Sequence, residues 1–219
     1  MKKFDSLKVF TFDFDGVVLD SNAMKIEAMR ESLEECEFPE KNVQSCLDFF
    51  RENFGISRYH HIDYFLENIL DVDKKNKKDL SKKLLTNFSK RVSLRYAKAD
   101  FCDGILDFVK KYKNQCNIVS GSDQIELIEV LDQKGFISMF DYVLGSPTSK
   151  SDNLINLKKY YPDDAVHYYF GDALGDYEAS KAAGYFFIGV LGYSLVSNDL
   201  KEKCISNGCE YINSFREFL

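Results

Sequence analysis

The sequence predicts an α/β fold, a Rossmann-like parallel sheet core wound on both faces by helices, with an all-helical segment inserted near its start. Three observations carry this. Short apolar runs at about residues 7–13, 116–120, 141–144, 166–171 and 185–190 read as strands. Beyond residue 100 they alternate with helical text, the pattern of a parallel sheet covered by helices. Residues 20–97 read as helical throughout, so they interrupt the sheet between its first and second strands.

The first strand holds Leu7, Val9, Phe10 and Phe12 and runs into Asp13-Phe14-Asp15-Gly16. Alternation would put the two aspartates apart only if the strand continued. Gly16 lets the chain turn at once, which brings both carboxylates to one sheet end. Two carboxylates ~4 Å apart at an effective dielectric of ~20 repel by roughly 4 kcal/mol. A cation is therefore expected between them, most simply Mg²⁺, which favours carboxylate and water oxygens. Asp20, Ser21 and Asn22 then suit the N-cap of the first inserted helix. Apolar residues recur at helical spacing along the insertion: Ile26, Met29, Leu33; Leu66, Ile69, Leu70; Leu80, Leu84, Leu85, Phe88.

The second strand, Asn117-Ile118-Val119, ends in Ser120-Gly121-Ser122-Asp123. Lys150 follows in Gly145-Ser146-Pro147-Thr148-Ser149-Lys150. His167-Tyr168-Tyr169-Phe170 then runs into Gly171-Asp172-Ala173-Leu174-Gly175-Asp176, another strand ending in carboxylates. Singly, each has an ordinary structural reading: a serine after a strand as helix cap, a lone lysine as solvated surface, Gly-Asp as a turn. Together they place acids, a hydroxyl and a cation at C-terminal strand ends, where open α/β sheets bind ligands.

In these four motifs the chain resembles the haloacid dehalogenase superfamily, in the phosphatase branch that includes phosphoglycolate phosphatase and β-phosphoglucomutase. The likeness runs over nearly the whole chain, through Tyr177-Glu178-Ala179-Ser180-Lys181-Ala182-Ala183-Gly184. The third motif departs from the family, because no proline follows Lys150. The resemblance implies a core of residues 1–16 and 98–219 and a helical cap of 17–97 that closes over the site and selects the substrate. It implies Asp13 as nucleophile, forming an aspartyl-phosphate, and Asp15 as general acid and base. Ser120 and the Gly121 N–H would hold phosphate oxygens, with Gly16 beside them, and Lys150 would neutralise the phosphoryl charge. Asp13, Asp15 (by its carbonyl), Asp172 and Asp176 would hold Mg²⁺, although Asp176 also reads as a carboxylate orienting Lys150. In the cap, Arg58, His60, His61 or Arg51 could face the leaving group, or be ordinary surface residues.

The expected activity is Mg²⁺-dependent hydrolysis of a small phosphate monoester: a sugar, polyol, amino-alcohol or glycolate phosphate. The alternatives are a phosphomutase, which returns the phosphoryl group to a sugar, and a non-catalytic phosphoacceptor. The intact Asp13/Asp15 pair and the helical insertion argue against the latter.

Composition bounds the rest. At 219 residues and 45% apolar, the chain can bury a sizeable core. A net charge of −6 gives no basic excess, so nucleic acid is not an expected partner. The lysines of Asp73-Lys74-Lys75-Asn76-Lys77-Lys78-Asp79 are flanked by acids and read as a solvated face. Asp71-Val72-Asp73 lacks the glycine and the closing glutamate of a calcium loop. The six cysteines include no Cys-x-x-Cys and fit reduced thiols in a cytoplasm. Lys2 and Lys3 precede a run broken by Asp5, Asp13 and Asp15, so neither a leader nor a membrane span is expected. A monomer or homodimer is expected. His167, on a core strand, reads as a satisfied buried histidine.

Overall fold

A computed structural model describes residues 6–219. The first five residues of the expected core segment, including Lys2, Lys3 and Asp5, lie outside the described residues. The core is a six-stranded parallel sheet in the order β3-β2-β1-β4-β5-β6. Its strands are β1 (Lys8–Phe12), β2 (Cys116–Asp123), β3 (Tyr142–Ser146), β4 (Val166–Gly171), β5 (Phe186–Val190) and β6 (Glu210–Ile212). The helices α1 (Asn22–Glu34), α2 (Glu40–Glu52), α3 (Arg58–Tyr64) and α4 (Lys74–Tyr96) form the insertion. The helices α5 (Ile105–Lys111), α6 (Gln124–Gln133), α7 (Lys150–Leu157), α8 (Leu174–Ala183) and α9 (Ser197–Asn207) flank the sheet.

The five strands read from the sequence are present. The sixth escapes that reading because its three residues, Glu210-Tyr211-Ile212, bury only Ile212 and carry no period. Strand β1 stops at Phe12, so Asp13 and Asp15 lie past its end. Asp13 is still tied to the neighbouring strand by its N–H, which donates to the Phe170 carbonyl at 2.8 Å. Beneath the strand ends, Phe12 stacks on Phe170 with ring centroids 5.2 Å apart, and Phe108 and Phe215 pack edge-on around them. This aromatic layer is the rigid floor on which the acids stand.

The two chain segments joining core to insertion run side by side. Cys102 N–H donates to Val18 O and Asp20 N–H to Asp100 O, both at 2.9 Å. Above them Met29, Leu33, Leu47, Phe65, Leu84 and Phe88 of the insertion are buried in an apolar cluster continuous with Phe12 and Phe108 of the core. Ser21 holds the N-cap position of α1 as expected, but its hydroxyl makes no capping bond. It donates to Asp15 instead, at 2.7 Å. No helix among the described residues is long and apolar enough to cross a membrane.

Candidate active site

Asp13, Asp15, Ser120, Lys150, Asp172 and Asp176 converge at the C-terminal ends of β1, β2, β3 and β4, all buried under the insertion. Gly16 is what lets the first two turn into the site. Its φ is +73°, and a Cβ there would lie 2.3 Å from both Asn22 Nδ2 and Asp172 Oδ2. Gly121 plays the matching part on β2, where a Cβ would meet the Gly55 carbonyl of the cap loop at 2.5 Å. Both positions need glycine because backbone and side chains press where a methyl group would stand.

One oxygen each of Asp13, Asp172 and Asp176 lie within 4.8 Å of one another. Lys150 Nζ stands 3.2 Å from Asp13 Oδ2 and also binds Asp176. Burial, then the Asp176 charge, pushes the Asp13 carboxyl up to about 7, although Lys150 and Ser120 pull it down. Burial and the charges of Asp176 and Asp13 likewise raise Asp172. Three buried carboxylates facing one ammonium make a strongly negative pocket. Asp13 Oδ1, Asp172 Oδ1 and Asn22 Oδ1 are buried there without a hydrogen-bond partner. Unpartnered hard oxygens in a negative pocket fit a divalent cation such as Mg²⁺. Asp176 is the least free of the three acids. Its Oδ2 accepts the N–H groups of Asp172 and Ala173, both at 3.1 Å, and its Oδ1 takes Lys150 and the Tyr169 hydroxyl.

Asp15 is surrounded differently. Its Oδ1 accepts Ser21 Oγ (2.7 Å) and the Tyr96 hydroxyl (2.8 Å). Its Oδ2 accepts Lys25 Nζ (2.8 Å) and Ser122 Oγ (2.7 Å). Burial alone would raise this carboxyl. Lys25, Ser21 and Ser122 outweigh it and hold the group below the ordinary carboxylate range. Lys25 and Tyr96 are site residues that sequence reading misses, and both belong to the insertion. The signal was present, because Lys25 falls three residues after Asn22 and four before Met29, on the buried face of α1. A lysine at that spacing is anomalous unless an acid awaits it.

The cap residues divide. Arg58 lines the cleft, but both terminal nitrogens of its guanidinium bind Glu126 of α6. It is buried, contrary to the exposed cation that the sequence suggests. Burial opposes its charge, and Glu126 more than restores it, so the guanidinium is held above its usual range. His60 is exposed and lines an adjoining groove together with Gly121 and Lys150, between the cap loop and the start of α7. His61, not His60, faces the cleft. Burial pulls His61 down to about 4, against its contacts with the carbonyls of Asn53 and Ser57. Arg51 pairs with Asp48 on the outer surface. The buried His167 leaves Nδ1 unpartnered, so it is less satisfied than expected.

With the cap seated, the cleft has about 10 Å³ of free space, room for roughly one water.

Comparison with known proteins bears on the fold and the family. None of the curated proteins matches the sequence. Among solved structures, a predicted phosphatase from Clostridium acetobutylicum superposes with a TM-score of 0.73 at 18% identity, over 98% of this chain and 97% of its own. A predicted phosphoglycolate phosphatase from Haemophilus somnus gives 0.74 at 16% identity, over 98% and 97%. CbbY from Rhodobacter sphaeroides, solved in complex with phosphate, gives 0.65 at 16% identity, over 97% and 96%. At such identities these structures share the fold. The family model of the haloacid dehalogenase-like hydrolases matches residues 10–190, from the middle of β1 to the end of β5 and through every strand-end acid, and the chain belongs to that family.

Proposed function

We propose that this hydrolase is a Mg²⁺-dependent phosphatase of small phosphorylated metabolites, acting through an aspartyl-phosphate on Asp13. The observation that carries the reading is the buried carboxylate cluster with two orphaned oxygens, one of them on the strand-end aspartate that Lys150 faces. Asp13, Asp172 and the Asp15 carbonyl would hold the metal, with Asp176 beside them. When bound, it supplies positive charge against the phosphoryl oxygens and keeps Asp13 ionised.

Asp13 uses one carboxylate oxygen to form a bond to phosphorus as the ester P–O bond breaks. Ser120, the Gly121 N–H and Lys150 hold the equatorial oxygens, where charge accumulates. The leaving oxygen takes a proton from Asp15. In the second half, Asp15 takes a proton from water as that water attacks phosphorus and releases Asp13 and inorganic phosphate. The donors around Asp15 in the seated state suit this second half, since they favour the ionised carboxylate that accepts the proton. Asp176 holds Lys150 in place, which its bonds to Lys150 and two backbone N–H groups support.

Phosphate release from a panel of monoesters, with Mg²⁺ and with excess EDTA, tests the proposal. Metal-dependent release that is lost in Asp13→Asn is the expected result. Transfer of the phosphoryl group to a sugar, with no free phosphate, would identify a mutase instead.

A further inference from the structure

Phe50, Phe54, Ile56 and Phe88 form an apolar wall of the cleft. Two cations reach it, and both are engaged. Arg58 binds both carboxylate oxygens of Glu126, at 2.6 and 2.5 Å, and its guanidinium carbon lies 4.8 Å from the Phe88 ring centroid. Lys25 donates to Asp15 Oδ2 and Ser122 Oγ at 2.8 and 2.9 Å, and lies 5.3 Å from the Phe54 centroid. The acids are engaged to the same degree: Glu126 also takes the Ser89 hydroxyl, and Asp15 holds four donors. His61 turns both ring nitrogens to the carbonyls of its own loop, each at 3.1 Å.

A leaving group carrying a carboxylate or second phosphate finds no unpaired cation on this wall. One carrying an ammonium finds no unpaired carboxylate. Either gains a partner only by breaking a buried ion pair and stranding the displaced charge. An uncharged group needs no exchange, because it lies against aromatic and aliphatic side chains. We infer that this cleft selects monoesters of small uncharged alcohols with apolar character, alkyl or aryl, over phosphoglycolate and amino-alcohol phosphates. This rests on the phosphatase reading above and narrows it.

Three esters of matched size separate the cases: propyl phosphate, phosphoglycolate and phosphoethanolamine. Phosphate release by the full chain with Mg²⁺ should give propyl phosphate a kcat/KM at least tenfold above the other two. Intrinsic reactivity does not produce that order, since propanol is no better a leaving group than its charged counterparts. A kcat/KM for phosphoglycolate or phosphoethanolamine equal to or above that of propyl phosphate overturns the inference and leaves the phosphatase reading standing. If phosphoglycolate is preferred and Lys25→Met removes the preference, Lys25 receives the carboxylate, and the inference is overturned for that stated reason. No release from any of the three, nor from p-nitrophenyl phosphate, overturns the phosphatase reading itself and the inference with it.

Discussion

The two ends of the cleft bury charge in opposite ways. At the strand ends, Asp13, Asp172 and Asp176 crowd around one lysine, and Asp13 Oδ1 and Asp172 Oδ1 are left without partners. Under the cap, Arg58 meets Glu126 and Lys25 meets Asp15, each pair closed by further hydroxyl donors. A protein keeps unpartnered buried carboxylates only at a cost to its stability, and the strand-end set carries that cost. The cap set is complete in itself and fastens the cap to the core.

The largest effect that would break this comparison is catalytic. Asp13→Asn should lower phosphate release by about 10³-fold or more, because the amide does not replace the carboxylate as nucleophile. Its thermal midpoint without metal should not fall below wild type, since the change removes a buried charge from a crowded negative pocket. Near-normal turnover in this variant would refute the assignment of Asp13.

Arg58→Ala should do the reverse. It leaves Glu126 buried and uncompensated, a loss of roughly 3–5 kcal/mol in urea unfolding. Arg58→Met with Glu126→Met should recover most of that loss. If the single variant unfolds like wild type, the pair does not fasten the cap.

His61 gives a pH test of the same cap. Its folded value, about 4, lies below the ordinary histidine value of 6.5, so the folded state holds the ring neutral. The unfolded chain takes up the proton first as pH falls. The stability from a neutral His61 is therefore whole above pH 6.5 and is lost progressively down to about 4. The loss is on the order of 3 kcal/mol, since each tenfold difference in proton affinity is worth about 1.4 kcal/mol. His61→Gln should flatten that part of the stability profile, measured by denaturant midpoints across the range.

The smallest expected effect sharpens the other end. Wild-type protein should gain thermal stability with millimolar Mg²⁺, by linkage to the folded state. Asp172→Asn should weaken the apparent affinity by about tenfold, ~1.4 kcal/mol. The same Mg²⁺ dependence in Asp172→Asn as in wild type would place the cation elsewhere.

Much of the strand-end chemistry was legible in the chain. Strands ending in Asp-x-Asp-Gly, Ser-Gly and Gly-Asp announce themselves, because a parallel strand's apolar run and its polar terminus are contiguous in sequence. Gly16 marks the turn that local backbone sterics require. The cap side was legible only as helices. Its periodicity locates α1 and α4, but Lys25 and Tyr96 meet Asp15 across 10 and 81 residues. Arg58 looked like a free cation because its partner lies 68 residues away, on a core helix.

Local period, turn chemistry and like-charge repulsion are properties of the chain alone. They suffice for the α/β class, the inserted helices and the acids at the strand ends. Three features needed the folded molecule: the four donors that hold Asp15, the binding of Arg58 to Glu126, and the turning of His61, not His60, into the cleft. The reason is physical. Which side chains meet is set by how the cap seats on the core, and in that seat the partner of each buried charge comes from a distant part of the chain.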